Sequence, residues 1–131
     1  MIIVLMGKTA SGKDSVCREL ENRGISRIIT YTTRPIRPGE KDGVSYHFIS
    51  EDEFMEKIDE GFFAEYKEYH VADGNIWYYG SAMQDYDTDE LKVIILTPSG
   101  YRDMKDILQG RSYTIYLYSN RSTIRNRLAE R

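Results

Sequence analysis

Among its 131 residues the chain has one cysteine, two histidines, three prolines and one tryptophan, and no long apolar run. A lone Cys17 cannot close an intramolecular disulfide, and Cys17 with His47 and His70 lacks the number and spacing of zinc ligands. The apolar runs Ile2–Met6 and Val93–Leu96 fall far short of the roughly 20 residues that span a bilayer. The expectation is a cytoplasmic protein with no membrane partner and no secretory segment. There is no repeat, low-complexity tract or linker, and the length suits one compact domain.

Charge is unevenly spread. Residues 1–40 carry seven basic and four acidic side chains, residues 41–110 six and sixteen, and residues 111–131 five and one, a net charge of −3. An acidic balance argues against a nucleic-acid partner, whereas two basic ends could converge on a compact polyanion such as nucleotide phosphates. Ordinary solvated charge is the plain alternative.

Apolar patterning alternates strand and helix at both ends of the chain. Ile2–Met6, Arg27–Tyr31, Lys92–Thr97 and Tyr113–Tyr118 read as strands, the first and the last two of the kind covered on both faces. Val16, Cys17 and Leu20 make an apolar stripe on a helix that opens at Lys13 and stops at Gly24, and Tyr101–Leu108 is a second helix stopped by Gly110. Ser119 or Asn120 would cap a final basic helix.

Between these elements lies a different kind of segment. Thr32–Gly43 is an irregular connection with two prolines and two glycines, Val44–Ile49 alternates like a strand, and Ser50 with Glu53 forms a capping box for a helix with Phe54, Met55 and Ile58 inward. Phe62–His70 and Ile76–Tyr79 flank Asp73-Gly74-Asn75, a hairpin signal. The fold class expected is α/β, three-layered, with a parallel core sheet and an inserted mixed or antiparallel unit. The core would be residues 1–31 and 91–131, and the insertion residues 32–90.

The sharpest local signal is Gly7-Lys8-Thr9-Ala10-Ser11-Gly12-Lys13-Asp14, between a buried strand and a helix. It fits the phosphate-binding pattern GxxxxGK: small residues let successive N–H groups wrap a phosphate, the helix dipole adds to them, and Lys13 reaches the outer phosphates. Asp14 stands where a hydroxyl usually holds magnesium, so Asp14 or Ser15 would serve the metal. A glycine-rich turn that merely joins strand to helix is the bland reading.

The second constellation is Thr30-Tyr31-Thr32-Thr33-Arg34-Pro35-Ile36-Arg37-Pro38-Gly39-Glu40, followed by Gly43, Tyr46 and Phe48. Two arginines three apart on a proline-stiffened loop can present guanidinium forks to one phosphate, and a tyrosine hydroxyl can complete the cradle. Two loop arginines can equally be solvated charge. An enzyme that joins two phosphorylated molecules needs two anion sites, and this pair would be the second.

With these residues in view, the chain resembles the guanylate kinases. The run TTRPIRPGEKDGVSYHFIS is similar to that family's GMP-binding segment, and Phe62-Phe63-Ala64-Glu65 and Tyr78-Tyr79-Gly80-Ser81 fill two further motif slots. The resemblance implies a P-loop fold, ATP and Mg2+ as cofactors, and transfer of a phosphoryl group from ATP to GMP. By position, it assigns Gly7–Ser15 (Gly7, Lys8, Thr9, Ala10, Ser11, Gly12, Lys13, Asp14, Ser15) to ATP, with Asp14 toward the metal. Arg34, Arg37, Tyr46 and Tyr79 would hold the GMP phosphate. Glu65 would accept from the guanine N1–H and amino group, with the hydroxyls of Thr30 and Ser81 facing the base oxygen.

Lys13, Arg34 and the lid arginines Arg127 and Arg131 would neutralise charge on the phosphoryl group in transfer. Three departures accompany the resemblance: Asp14 replaces a hydroxyl, Thr97 stands where the family has an acid, and the rest of the lid, the last strand and the last helix are missing. The missing strand implies an unpaired sheet edge at Tyr113–Tyr118, and with it either a homo-oligomer formed through that edge or much weaker kinase activity. Two rivals share the same residues: a guanylate-kinase-like binding module without catalysis, and a P-loop kinase for another nucleotide.

Overall fold

The computed structural model describes residues 1–7 and 12–117. Two compact units divide it, one of Met1–Arg27 with the chain from Asp89 onward, the other Ile28–Thr88.

In the first unit, strands β1 (Ile2–Gly7), β2 (Ser26–Arg27) and two that follow the second unit, Lys92–Ile95 and Ser112–Leu117, form one parallel sheet. β1 is central, with Ile3 opposite Val93 on one side and Tyr113 on the other. Helix α1 (Lys13–Asn22) packs Val16, Cys17 and Leu20 against Ile3, Leu5, Val93 and Ile95. Because side chains alternate along a strand, Ile2, Val4 and Ile94 point to the opposite face and are equally buried. Burial on both faces is what a parallel sheet requires. α1 ends as its sequence demands: Gly24 sits at φ +90°, and the Ile25 amide returns to the Leu20 carbonyl at 3.0 Å.

The second unit holds β3 (Tyr31–Thr32), β4 (His47–Phe48), α2 (Glu51–Asp59), β5 (Phe63–His70), β6 (Ile76–Ala82) and a 3-10 turn over Met83–Tyr86. Its sheet runs β4-β3-β6-β5, parallel between β3 and β4 and antiparallel elsewhere. The N-cap half of the capping box forms: Ser50 Oγ accepts from the Glu53 amide at 3.1 Å and donates to Glu53 Oε1 at 3.4 Å. Phe54 of α2 is fully buried and stacks on Phe63 at 4.4 Å between centroids. After this unit come β7 (Lys92–Ile95), α3 (Pro98–Leu108) and β8 (Ser112–Leu117) of the first.

The structure departs from the sequence expectations at several elements. The expected strand Arg27–Tyr31 is two strands in different sheets, because the chain passes from one unit to the other at Ile28. Val44–Ile49 shrinks to His47–Phe48. Val44 and Ser45 instead turn back with their amides on the Lys41 carbonyl, and Val44 is 62% exposed. α3 starts three residues earlier than expected: Thr97 is its N-cap, accepting from the Gly100 amide at 3.0 Å, and Pro98 takes the first-turn place its fixed φ favours. β8 is an edge strand among the described residues, with Tyr113 65% exposed, so it is not the covered strand its apolar run suggested. The final basic helix, with Arg127 and Arg131, lies outside the described residues.

Candidate functional site

In the first unit, β1 leads to the glycine-rich stretch and α1 follows it, the strand–loop–helix context a phosphate loop needs. Lys8, Thr9, Ala10 and Ser11 lie outside the described residues. Gly12 takes a left-handed conformation, φ +98°, immediately before α1, and the Val16 amide closes the first turn on its carbonyl. Lys13 Nζ donates to the Gly7 carbonyl at 2.8 Å, which ties the start of the loop to the start of the helix. Asp14 and Ser15 are exposed on the first turn of α1. An acid there suits the helix N-terminus and is a hard oxygen donor for Mg2+. Among the described residues no three His, Cys, Asp or Glu side chains gather into a metal cage. One carboxylate and one hydroxyl fit an ion held chiefly by nucleotide phosphates and water.

In the second unit, the loop after β3 is pinned at its root. Thr32 Oγ1 donates to the Tyr78 carbonyl and accepts from the Arg34 amide, and Thr33 Oγ1 accepts from the Tyr78 amide. Arg34 then runs inward and is only 6% exposed. A buried cation needs a partner, and Glu40 supplies one: its two oxygens accept from Nη1 and Nη2 at 2.9 and 2.8 Å. Glu40 Oε1 also accepts from the Arg37 backbone amide at 2.8 Å, so this one carboxylate organises both arginine positions. The Arg34 bond and the Arg37 amide hold the Glu40 carboxyl down, from an ordinary 4.5 to about 2. Glu40 and then Tyr79 in turn keep the Arg34 guanidinium above its usual range.

The guanidinium lies 5.3 Å from the centre of the Tyr46 ring, and Tyr46 meets Tyr79 edge-on at 5.9 Å. Arg34, Tyr46 and Tyr79 therefore come together as the sequence suggested. The Arg37 side chain is exposed on the same loop.

Strand pairing builds the other half. Between Phe63 and Glu65 the β5–β6 ladder slips by one residue, from Phe63 opposite Ala82 to Glu65 opposite Ser81. This bulge puts Glu65 and Ser81 on one face of the sheet, and Tyr79 shares that face two residues along β6. Without the slip, Ala64 would stand opposite Ser81. Close approach at the bulge depends on Gly80: an added Cβ would lie 2.8 Å from Phe63 Cδ1 and 3.1 Å from the Glu65 carbonyl oxygen.

Ser81 Oγ donates to Glu65 Oε1 at 3.1 Å. The hydroxyl expected to face the base oxygen is thus directed at the carboxylate. Behind it, Tyr86 donates to Ser81 Oγ at 2.9 Å. Sequence reasoning missed Tyr86, which follows no motif. Thr30 is half-buried between β2 and β3, where its carbonyl accepts from the His47 amide, and it contributes to neither the Arg34–Glu40 nor the Glu65–Ser81 network. Sequence reasoning also treated Thr32, Thr33 and Glu40 only as motif letters, although they fix the loop.

This chain matches the family model described as guanylate kinase over residues 1–87. It belongs to the guanylate kinase family. It is 33% identical over 137 aligned residues to the guanylate kinase of Wolinella succinogenes, covering 99% of this chain and 61% of that protein. To the guanylate kinase of Symbiobacterium thermophilum it is 47% identical over 83 residues, covering 62% of this chain and 37% of that one. Its fold resembles the crystal structure of guanylate kinase from Anaplasma phagocytophilum, with a TM-score of 0.72 at 21% identity over 99% of this chain and 66% of that one. The chain thus spans less than two thirds of the length of these family members.

Proposed function

We propose that the Ile28–Thr88 unit binds GMP and that the Gly7–Ser15 loop binds the phosphates of ATP with Mg2+. The protein would transfer the γ-phosphoryl group of ATP to a phosphate oxygen of GMP, giving ADP and GDP. The observation that carries this reading is the bulge that sets Glu65 against Ser81 on the sheet face that also bears Tyr79. A carboxylate on that face is an acceptor for the guanine N1–H and 2-amino group. Adenine offers a lone pair at N1 and no 2-amino donor, so it would leave the carboxylate unsatisfied.

Toward the other end of GMP, Arg34 is preorganised by Glu40, and Arg37, Tyr46 and Tyr79 complete a phosphate cradle. Lys13 would shift from the Gly7 carbonyl to the outer phosphates of ATP, and Arg127 and Arg131 would add charge neutralisation. Phosphoryl transfer asks for positioning and electrostatic stabilisation more than for a base, and every residue assigned here supplies one or the other. The parallel-sheet unit is then the core and the mixed-sheet unit the acceptor-binding insertion. No helix among the described residues is long and apolar enough to cross a membrane, and a cytoplasmic setting fits this reading.

A coupled ADP-release assay with ATP, Mg2+ and each of GMP, dGMP, AMP and CMP tests the proposal. ADP release that depends on GMP supports it. Preference for AMP or CMP would reassign the acceptor, and GMP binding without turnover would favour a binding module.

A further inference from the structure

We infer that Tyr86 is a positioning residue of the base pocket, one whose hydroxyl acts through Ser81 to fix the Glu65 carboxylate for guanine. The inference rests on the proposed GMP site and adds to it a residue outside the family motifs quoted above. Tyr86 closes the 3-10 turn that follows β6 and is 2% exposed, while Ser81 is fully buried. A buried phenol needs a hydrogen-bond partner, and here it has the Ser81 oxygen at 2.9 Å.

The protons available to the three side chains set the direction of the relay. An ionised carboxylate only accepts, so the single Ser81 proton must go to Glu65 Oε1, 3.1 Å away. Ser81 Oγ can then take part in the second contact only as acceptor, and Tyr86 must be the donor. The order is Tyr86 to Ser81 to Glu65. Burial, the largest influence on this phenol, pushes its pKa up from the ordinary 10.0, so it remains a neutral donor at physiological pH.

Two consequences follow. With its proton committed to Glu65, the Ser81 hydroxyl supports the carboxylate from behind and does not donate to the base. One oxygen of Glu65 is thereby anchored, which limits rotation of the group that must meet the guanine N1–H and 2-amino donors side by side. Chained hydrogen bonds also polarise one another, which strengthens the anchor beyond that of an isolated serine.

Tyr86→Phe keeps the ring and removes only the donor. Calorimetric titration of the whole chain and of this variant with GMP, AMP and ATP, alongside thermal melts, tests the inference. The expected result is that the GMP-over-AMP affinity ratio falls by about 3- to 10-fold, the scale of one lost hydrogen bond, while ATP affinity is unchanged. A ring needed only for packing would leave the ratio intact, and an unchanged ratio overturns the inference while GMP binding stands. A ratio that falls only in step with ATP affinity and melting temperature overturns it too, since that is general loosening. If the unmodified chain shows no preference for GMP, the proposed function fails, and the role of Tyr86 in guanine recognition fails with it.

Discussion

In the parallel-sheet unit, short apolar strands and α1 pack Leu5, Val93 and Cys17 into a core, and the candidate site is the stretch between β1 and α1, where backbone amides and Lys13 are proposed to supply the chemistry. In the mixed-sheet unit, aromatic rings fill the interior, and the candidate site is made of side chains on strands and a pinned loop: Arg34 on Glu40, Glu65 on Ser81, Ser81 on Tyr86. The first kind of site follows from one contiguous stretch of chain. The second depends on which residues face each other across a ladder, and so on the bulge at Phe63–Glu65. A phosphate can be held by any chain that turns its N–H groups inward, whereas a base edge must be met by specific acceptors.

The sharpest way to separate the two units is Lys13→Ala. It should lower ATP affinity by about 100-fold, because it removes the charge-assisted contact proposed for the outer phosphates, and leave GMP affinity nearly unchanged. Calorimetry with each nucleotide reads both arms. Loss of GMP binding in this variant would show that the two nucleotide sites are not separate. Arg34→Ala probes the opposite side. It should cost about 2–3 kcal/mol of GMP affinity, the range for charge-assisted hydrogen bonds, with ATP affinity preserved.

A smaller effect concerns the bulge. Gly80→Ala forces a methyl group against the Phe63 ring and the Glu65 carbonyl, so about 1–3 kcal/mol of stability should be lost in chemical denaturation. GMP affinity should fall with it, because Glu65 is displaced from Ser81. Full stability in this variant would show that the close approach is not required.

The smallest effect is acid sensitivity. Glu40 titrates near 4.5 when unfolded and about 2 when folded, so the unfolded chain takes up the proton first as pH falls. The Arg34–Glu40 contribution should be complete above about pH 4.5, decline through the interval below it, and vanish below about pH 2. Glu40→Gln should flatten that part of the stability profile, measured by denaturant titration at each pH. Because the Glu40 side chain keeps 21% of its surface open to water, solvent screens the contact in part and the slope should be shallow.

How much of this could be read from the sequence follows from how local each feature is. The Ser50 N-cap of α2, the glycine stop after α1 and the hairpin turn at Gly74 are decided within a few residues, and each appears as expected. The run Arg27–Tyr31 misled because its residues suit a strand equally well in either of two sheets, and only the passage between units at Ile28 divides it. Val44–Ile49 misled because alternation cannot show that Gly43, at φ +80°, and the Lys41 carbonyl turn the chain first. In the site, Arg34, Tyr46 and Tyr79 were legible through the motif. The direction of the Ser81 proton and the donor at Tyr86 were not, since they arise from partners that meet only after β5 and β6 pair.

Guanine recognition by Glu65 of the mixed-sheet unit is the proposal on which the other assignments depend. Titration of the chain and of Glu65→Gln with GMP and AMP tests it most directly. The unmodified chain should bind GMP more tightly than AMP, and the variant should lose about 10- to 100-fold in GMP affinity, with AMP affected much less. Equal weakening for both nucleotides, or no effect on GMP, would contradict it and remove Glu65 from base recognition.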